Sequence, residues 1–127
     1  MRIFKNSWFA RYARKESISD DVLCATIARA SRSLIDADLG SGLIKQRMAR
    51  EGEGKSGGYR SIIVYKSRSN AFFVFGFAKS ERENLTPSEL VAFKQLAIRL
   101  SQLADADLHK QIEDGILMEI LENGQVL

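Results

Sequence analysis

Residues Leu43 to Tyr65, LIKQRMAREGEGKSGGYRSIIVY, decide how the rest of the chain is read. Two runs of strand composition flank a linker with four glycines, and Lys45, Arg47, Arg50, Lys55 and Arg60 all fall within this stretch. Inside it, Ala49-Arg50-Glu51-Gly52-Glu53-Gly54-Lys55-Ser56 approximates a phosphate-binding P-loop. Such a loop needs a strand before it and a helix after it, because the helix N-terminus receives the phosphates. Here Gly57-Gly58 follow, a poor start for a helix. Then comes Tyr59-Arg60-Ser61-Ile62-Ile63-Val64-Tyr65, whose β-branched and aromatic residues favour a strand. Glu53 would also repel a triphosphate. The stretch is therefore read as two strands joined by a glycine-rich hairpin connection, and no bound nucleotide is expected.

Strand alternation gives the hairpin two unlike faces. In Leu43–Ala49, Lys45 and Arg47 share one face, and Ile44, Gln46 and Met48 the other. In Tyr59–Lys66, Arg60, Ile62, Val64 and Lys66 share a face opposite to Ser61, Ile63 and Tyr65. After the polar turn Ser67–Asn70, the run Ala71–Ala78 is apolar on both faces, as in a covered central strand. Lys79, Glu81 and Arg82 stand at its end. If the three strands are antiparallel neighbours, Lys45, Arg47, Arg60 and Lys79 converge on one concave patch.

Helical signals surround this block. Asn6 or Ser7 can cap a helix over Trp8 to Lys15, and a second starts at Ser19 with Asp20 and Asp21 in its first turn. The stripe of that second helix is Leu23, Ile27, Ala30 and Leu34, and Leu39-Gly40-Ser41-Gly42 breaks it. Thr86-Pro87-Ser88-Glu89 is a capping box with proline at the first helical position, opening a helix with Leu90, Phe93, Ala97, Leu100 and Ala104 on one side. Asp105 to Asp114 predicts a short helix stopped by Gly115, and Ile116–Ile120 a last strand. With a short first strand at Arg2–Lys5, the order is β-α-α-β-β-β-α plus a C-terminal tail. This is an α+β fold, a small antiparallel sheet with helices packed on it.

Length and composition bound the rest. A chain of 127 residues with 45% apolar content makes one domain with one core, expected at about 1–104 with an acidic tail over 105–127. No apolar run is long enough to span a bilayer, and Met1-Arg2-Ile3-Phe4-Lys5-Asn6 lacks the apolar centre of a signal peptide. Cys24 is the sole cysteine and His109 the sole histidine, so neither a disulfide framework nor a zinc site is expected; a reducing, cytoplasmic setting is. Charge is uneven along the chain. Residues 45–82 carry nine basic side chains against three acidic, while residues 83–127 carry three against eight. A basic centre of this kind suits a polyanionic partner.

The block Gly42-Leu43-x-Lys45-x-Arg47-x-Ala49-x-x-Gly52-x-Gly54-Lys55-x-Gly57-Gly58-x-Arg60, followed by an apolar strand, resembles the RelE/HigB family of toxins from bacterial toxin–antitoxin modules. Phe75-Gly76-Phe77-Ala78-Lys79-Ser80-Glu81-Arg82-Glu83-Asn84-Leu85 resembles the segment closing that family's central strand, and the likeness covers about residues 1–104. It implies a fold resembling microbial ribonucleases. It also implies an mRNA endoribonuclease that acts on the translating ribosome without a cofactor and is silenced by a cognate antitoxin, a small helix-turn-helix protein. Lys45 and Arg47 resemble the family's basic pair, Lys45 as base or phosphate ligand. Arg60 resembles its phosphate-stabilising arginine, and Lys79 and Arg82 its basic residues after the central strand. Ser80 stands where some members have arginine, and Glu83-Asn84-Leu85-Thr86 lacks the tyrosine that some members carry.

Cleavage by attack of the 2′-hydroxyl on the adjacent phosphate needs a base, a stabilised phosphorane and protonation of the leaving 5′-oxygen. Histidine is the usual choice for such proton transfers, but His109 lies in the acidic segment. Clustered cations offer another route: lysine among cations is driven toward its neutral form, and arginine clamps phosphate oxygens. Among further RNA contacts, Arg50 and Lys55 fall in the loop, where Lys55 also serves plain solvation, and Tyr59 at a strand start can stack on a base. Trp8, Phe9 and Tyr12 at helical spacing, and Phe72, Phe73, Phe75 and Phe77, are read as core. Two other classes remain open at this stage: a non-catalytic RNA-binding module, and a related toxin acting on DNA gyrase.

Overall fold

The computed structural model describes residues 1–49, 58–122 and 125–126. The doubly apolar run becomes β5 (Asn70–Ala78), set inside the sheet between β4 (Tyr59–Lys66) and β1 (Arg2–Asn6). Outward from β4 lie β3 (Leu43–Met48) and β2 (Ala37–Gly40); outward from β1 lie β6 (Leu117–Glu122) and the two-residue β7 (Gln125–Val126). Neighbours run antiparallel except β1 and β5, which are parallel, with Phe4 opposite Phe72. The parallel pair departs from the all-antiparallel expectation. It arises because β1 and β5 are joined through two helices and three strands instead of a tight turn.

Helices cover both faces, which is why β5 is apolar on both. On one side α1 (Ser7–Lys15) and α2 (Asp20–Ser31) bury Phe9, Ala13, Leu23 and Ile27 against Ile44, Met48, Ile63 and Phe73. On the other, α3 (Pro87–Ser101) and α4 (Asp105–Glu113) bury Ala97, Leu100 and Leu108 against Leu43, Ile62, Val64 and Phe72. Close approach of α1 to the sheet explains Gly76. A Cβ there would meet the Tyr12 ring at 3.0 Å and the Phe9 ring at 3.2 Å.

Caps form largely where the sequence puts them. The Asn6 side chain accepts from the Phe9 N–H (2.8 Å), Ser19 caps α2, and both halves of the Thr86–Glu89 capping box are made. Three expectations need correction. Leu34 is not on the α2 stripe: the helix ends at Ser31, Ser33 has φ of 65°, and Leu34 is 54% exposed. The segment after it pairs as β2, a short, polar edge strand of the kind hydrophobic periodicity misses. Nor are residues 105–122 an appended tail. They form α4 and β6, β6 pairs antiparallel with β1, and Leu108, Leu117 and Ile120 are core. Arg2 fixes the junction, its guanidinium donating twice to Glu119 at 2.8 Å each.

Candidate functional site

Strand register assembles the basic residues. Across β3 and β4, Arg47 lies directly opposite Arg60 and Lys45 opposite Ile62. Across β4 and β5, Arg60 faces Phe77, and the Lys79 N–H just past β5 donates to the Gly58 carbonyl (3.1 Å). Lys45, Arg47, Arg60 and Lys79 thereby line one cavity of about 280 Å³, together with Asp36, Ala37, Glu83 and Asn84. All four catalytic candidates meet there.

They do not stand in the same state. Lys45 Nζ donates to Asn84 Oδ1 at 2.6 Å and lies 3.5 Å from the Glu83 carbonyl. Arg47 is engaged by Asp36: its backbone N–H donates to one carboxylate oxygen at 2.7 Å, and its guanidinium lies 3.7 Å from the other. The Arg60 side chain, by contrast, makes one hydrogen bond among the described residues, to its neighbouring Tyr59 carbonyl (3.3 Å). Lys79 Nζ has no partner among them. Among the described residues, two cations are anchored and two make no ion pair.

Like charges placed directly opposite on a sheet destabilise it. Burial, and then the nearby Arg47 charge, push the Arg60 guanidinium below its ordinary range, while Asp36 pulls the other way. Arginine nonetheless stays protonated at any physiological pH. Asp36 binds Arg47 and its charge offsets part of the repulsion at Arg60, and it is itself held. Its backbone N–H donates to the side-chain oxygen of Gln46 (2.6 Å), whose nitrogen donates to the Leu34 carbonyl (3.2 Å). Gln46 is fully buried on the opposite face of β3 from Lys45 and Arg47. Arg29 of α2 completes the arrangement, 3.6 Å from Asp36 and donating to the Arg47 carbonyl.

The remaining candidates fall elsewhere. Tyr59 is 2% exposed, packed edge-on against Tyr12 with its hydroxyl on Glu16 (3.1 Å), so the reading of it as a base-stacking surface is corrected. Arg82 does not line the cavity. Its guanidinium pairs twice with Glu89 (2.8 and 3.0 Å) and lies about 5 Å over the rings of Phe75 and Phe77, where cation–π contact adds to the pairing. Bonds from Arg82, and then from the Thr86 backbone, hold Glu89 down at about 2. Arg82 thus ties the segment carrying Lys79, Glu83 and Asn84 to the start of α3. Arg50 and Lys55 lie outside the described residues. His109 sits on α4 near Glu119 of β6, at the far edge of the sheet from β3.

Asp36, Gln46 and Asn84 are absent from the sequence-based list. Nothing in a linear reading pairs Asp36 with Arg47 or Asn84 with Lys45, since both contacts come from tertiary approach of distant segments. A larger cleft of about 400 Å³ between α2 and the end of β3 has a mostly apolar lining and shares only Arg47 with the basic cavity. Polar groups of complementary chemistry converge in the basic cavity, so it is the better candidate. Among the described residues no cluster of side chains is suited to hold a metal ion, and no helix is long and apolar enough to cross a membrane.

The family model described as the RelE toxin of the RelE/RelB toxin–antitoxin system matches residues 1–120. No curated protein matches the chain. The family match includes α4 and most of β6, in agreement with the place of β6 in the sheet.

Proposed function

Since the chain belongs to the RelE toxin family, and so is a toxin of a toxin–antitoxin system with an antitoxin as its implied partner, we propose that it is an endoribonuclease that cleaves mRNA on the ribosome. The observation that carries this reading is the meeting of Lys45, Arg47, Arg60 and Lys79 in one cavity, where Arg60 and Lys79 make no ion pair among the described residues.

In the proposed reaction the scissile phosphate sits against Arg60, whose planar fork matches two of its oxygens. Lys45 takes the proton of the 2′-hydroxyl. The 2′-oxygen then bonds to phosphorus and the bond from phosphorus to the 5′-oxygen breaks. Arg47 and Arg60 stabilise the extra negative charge that develops on the phosphorane. Lys79, beside the leaving 5′-oxygen, supplies it with a proton. The products are a 2′,3′-cyclic phosphate and a 5′-hydroxyl, and no external co-reactant is needed. Surrounding positive charge also favours docking on a ribosome, whose RNA surface is polyanionic. A small helix-turn-helix antitoxin that covers this cavity would silence the toxin.

Induced expression without the antitoxin tests the reading. Translation should stop and mRNAs should shorten within coding regions, with new 5′-hydroxyl ends mapped by primer extension. Intact mRNA together with poisoned DNA gyrase would overturn it in favour of a protein target. A harmless protein that still binds RNA would make it a binding module.

A further inference from the structure

We propose that Asn84 is a further catalytic residue of the cavity, bridging Lys45 to the RNA through the two ends of its amide. The inference rests on the ribonuclease reading above. As an ammonium Lys45 offers only donors, so the Asn84 atom 2.6 Å from its Nζ is the oxygen. The amide nitrogen, with two N–H donors, is left over, and among the described residues it has no acceptor. Asn84 is exposed at the rim of the same cavity that Lys45, Arg47, Arg60 and Lys79 line. A phosphate drawn in by those cations therefore meets an uncommitted donor beside the base.

An asparagine in a loose surface loop would meet a long lysine side chain only by chance. This one is held on both sides. Two residues before it, Arg82 is fixed by Glu89 and by the rings of Phe75 and Phe77; two residues after it, Thr86 caps α3. Lys45 rises from β3, a strand paired on both edges. The bond joins residues 39 positions apart, each placed by independent structure.

The chemistry uses both ends of the amide. When Lys45 takes the 2′-proton it becomes an ammonium, and Asn84 Oδ1 accepts from that ion. An Asn84 N–H donates to a non-bridging phosphate oxygen as charge builds there. No bond to Asn84 forms or breaks. Among the described residues, the charged residues lining the cavity with Lys45 are Arg47, Arg60 and Lys79 as cations and Asp36 and Glu83 as acids, and Glu83 also presents its carbonyl to Lys45.

Single-turnover cleavage of mRNA on programmed ribosomes, measured against toxin concentration, tests this with Asn84→Ala, Asn84→Asp and Arg60→Ala. Asn84→Ala should lower the rate at saturation roughly 10- to 10²-fold while half-saturation moves less than about threefold, the pattern of an interaction made in the transition state. Asn84→Asp keeps an oxygen for Lys45 but removes both donors, and should fall at least as far. Near wild-type cleavage by Asn84→Asp would show that donation is not used, and the bridge would be wrong. So would a wild-type rate in Asn84→Ala, or a loss confined to half-saturation. Thermal unfolding is measured for each variant, and Asn84→Ser replaces any that does not fold, with the same expected loss. If wild type cleaves and Arg60→Ala does not, while the Asn84 variants cleave normally, only this inference falls. If wild type cleaves nothing, the ribonuclease reading falls and this one with it.

Discussion

Arg47 opposite Arg60 is a costly arrangement for a sheet, and a sheet built for stability alone would place a carboxylate in one of the two positions. The carboxylate comes instead from Asp36, outside the strand pair, positioned by the buried amide of Gln46. That leaves the Arg60 side chain at the cavity with no ion pair among the described residues. Arg60→Ala should abolish cleavage. Arg60→Lys should restore little, because an ammonium cannot hold two oxygens in the plane of a guanidinium. The expected loss is about 10²-fold or more, and ribosome binding should fall far less because several cations share the attraction. Cleavage and binding measured side by side decide it: a Lys variant that cleaves normally would make Arg60 a docking charge. The four cations of the cavity were legible in the sequence because a period of two places side chains on a face without knowledge of the partner strand. Tyr59 was not, because its burial is set by α1, forty residues and more away. Neither was the role of Arg82, which depends on a turn that brings Glu89 back to it.

At the scale of elements, α3 shows how a local signal reaches the site. The capping box was legible because it is contained within four residues, whereas β2, short and polar, left no periodic trace. Glu89 serves two partners at once, the Thr86 backbone N–H and the Arg82 guanidinium, and through Arg82 it holds the segment that carries Lys79 and Asn84. Its carboxyl is held at about 2 against an ordinary 4.5. A depressed acid contributes stability that is fully present above the unfolded value and is lost as pH falls through the folded one. The difference in stability between wild type and Glu89→Gln should therefore be largest above pH 4.5 and shrink toward pH 2. Urea denaturation at a series of pH values measures it, and a difference that does not change with pH would assign the effect to packing. At neutral pH, Glu89→Gln should also slow cleavage, since it loosens the segment that brings Asn84 to Lys45.

Over the whole molecule, the first strand and the late strand β6 meet as neighbours in the sheet. β1 lies between β5 and β6, so the first strand has both partners only when residues beyond 116 are in place. Composition reads this region as an acidic tail because Asp105, Asp107, Glu113 and Asp114 dominate it, but those residues are the solvent side of α4 and the turn after it. The signal that corrects the reading is Ile116-Leu117-Met118-Glu119-Ile120, where the inward residues Leu117 and Ile120 are almost fully buried. Ile120→Ala should cost about 2–5 kcal/mol, the range for truncating a buried aliphatic side chain. Glu119→Ala, by freeing Arg2 from a half-buried pair, should cost less. A fragment ending at residue 104 would expose the free edge of β1 and the apolar surfaces that Leu108, Leu117 and Ile120 cover, and should not give a cooperative unfolding transition. Circular dichroism against urea for the fragment, Ile120→Ala and wild type checks all of this in one series. If the fragment unfolds cooperatively at a midpoint near wild type, β6 is an ornament on a complete domain. If it does not, every variant of the basic cavity has to be compared in the full-length chain, because the β5 that delivers Lys79 is the strand on which β1 leans.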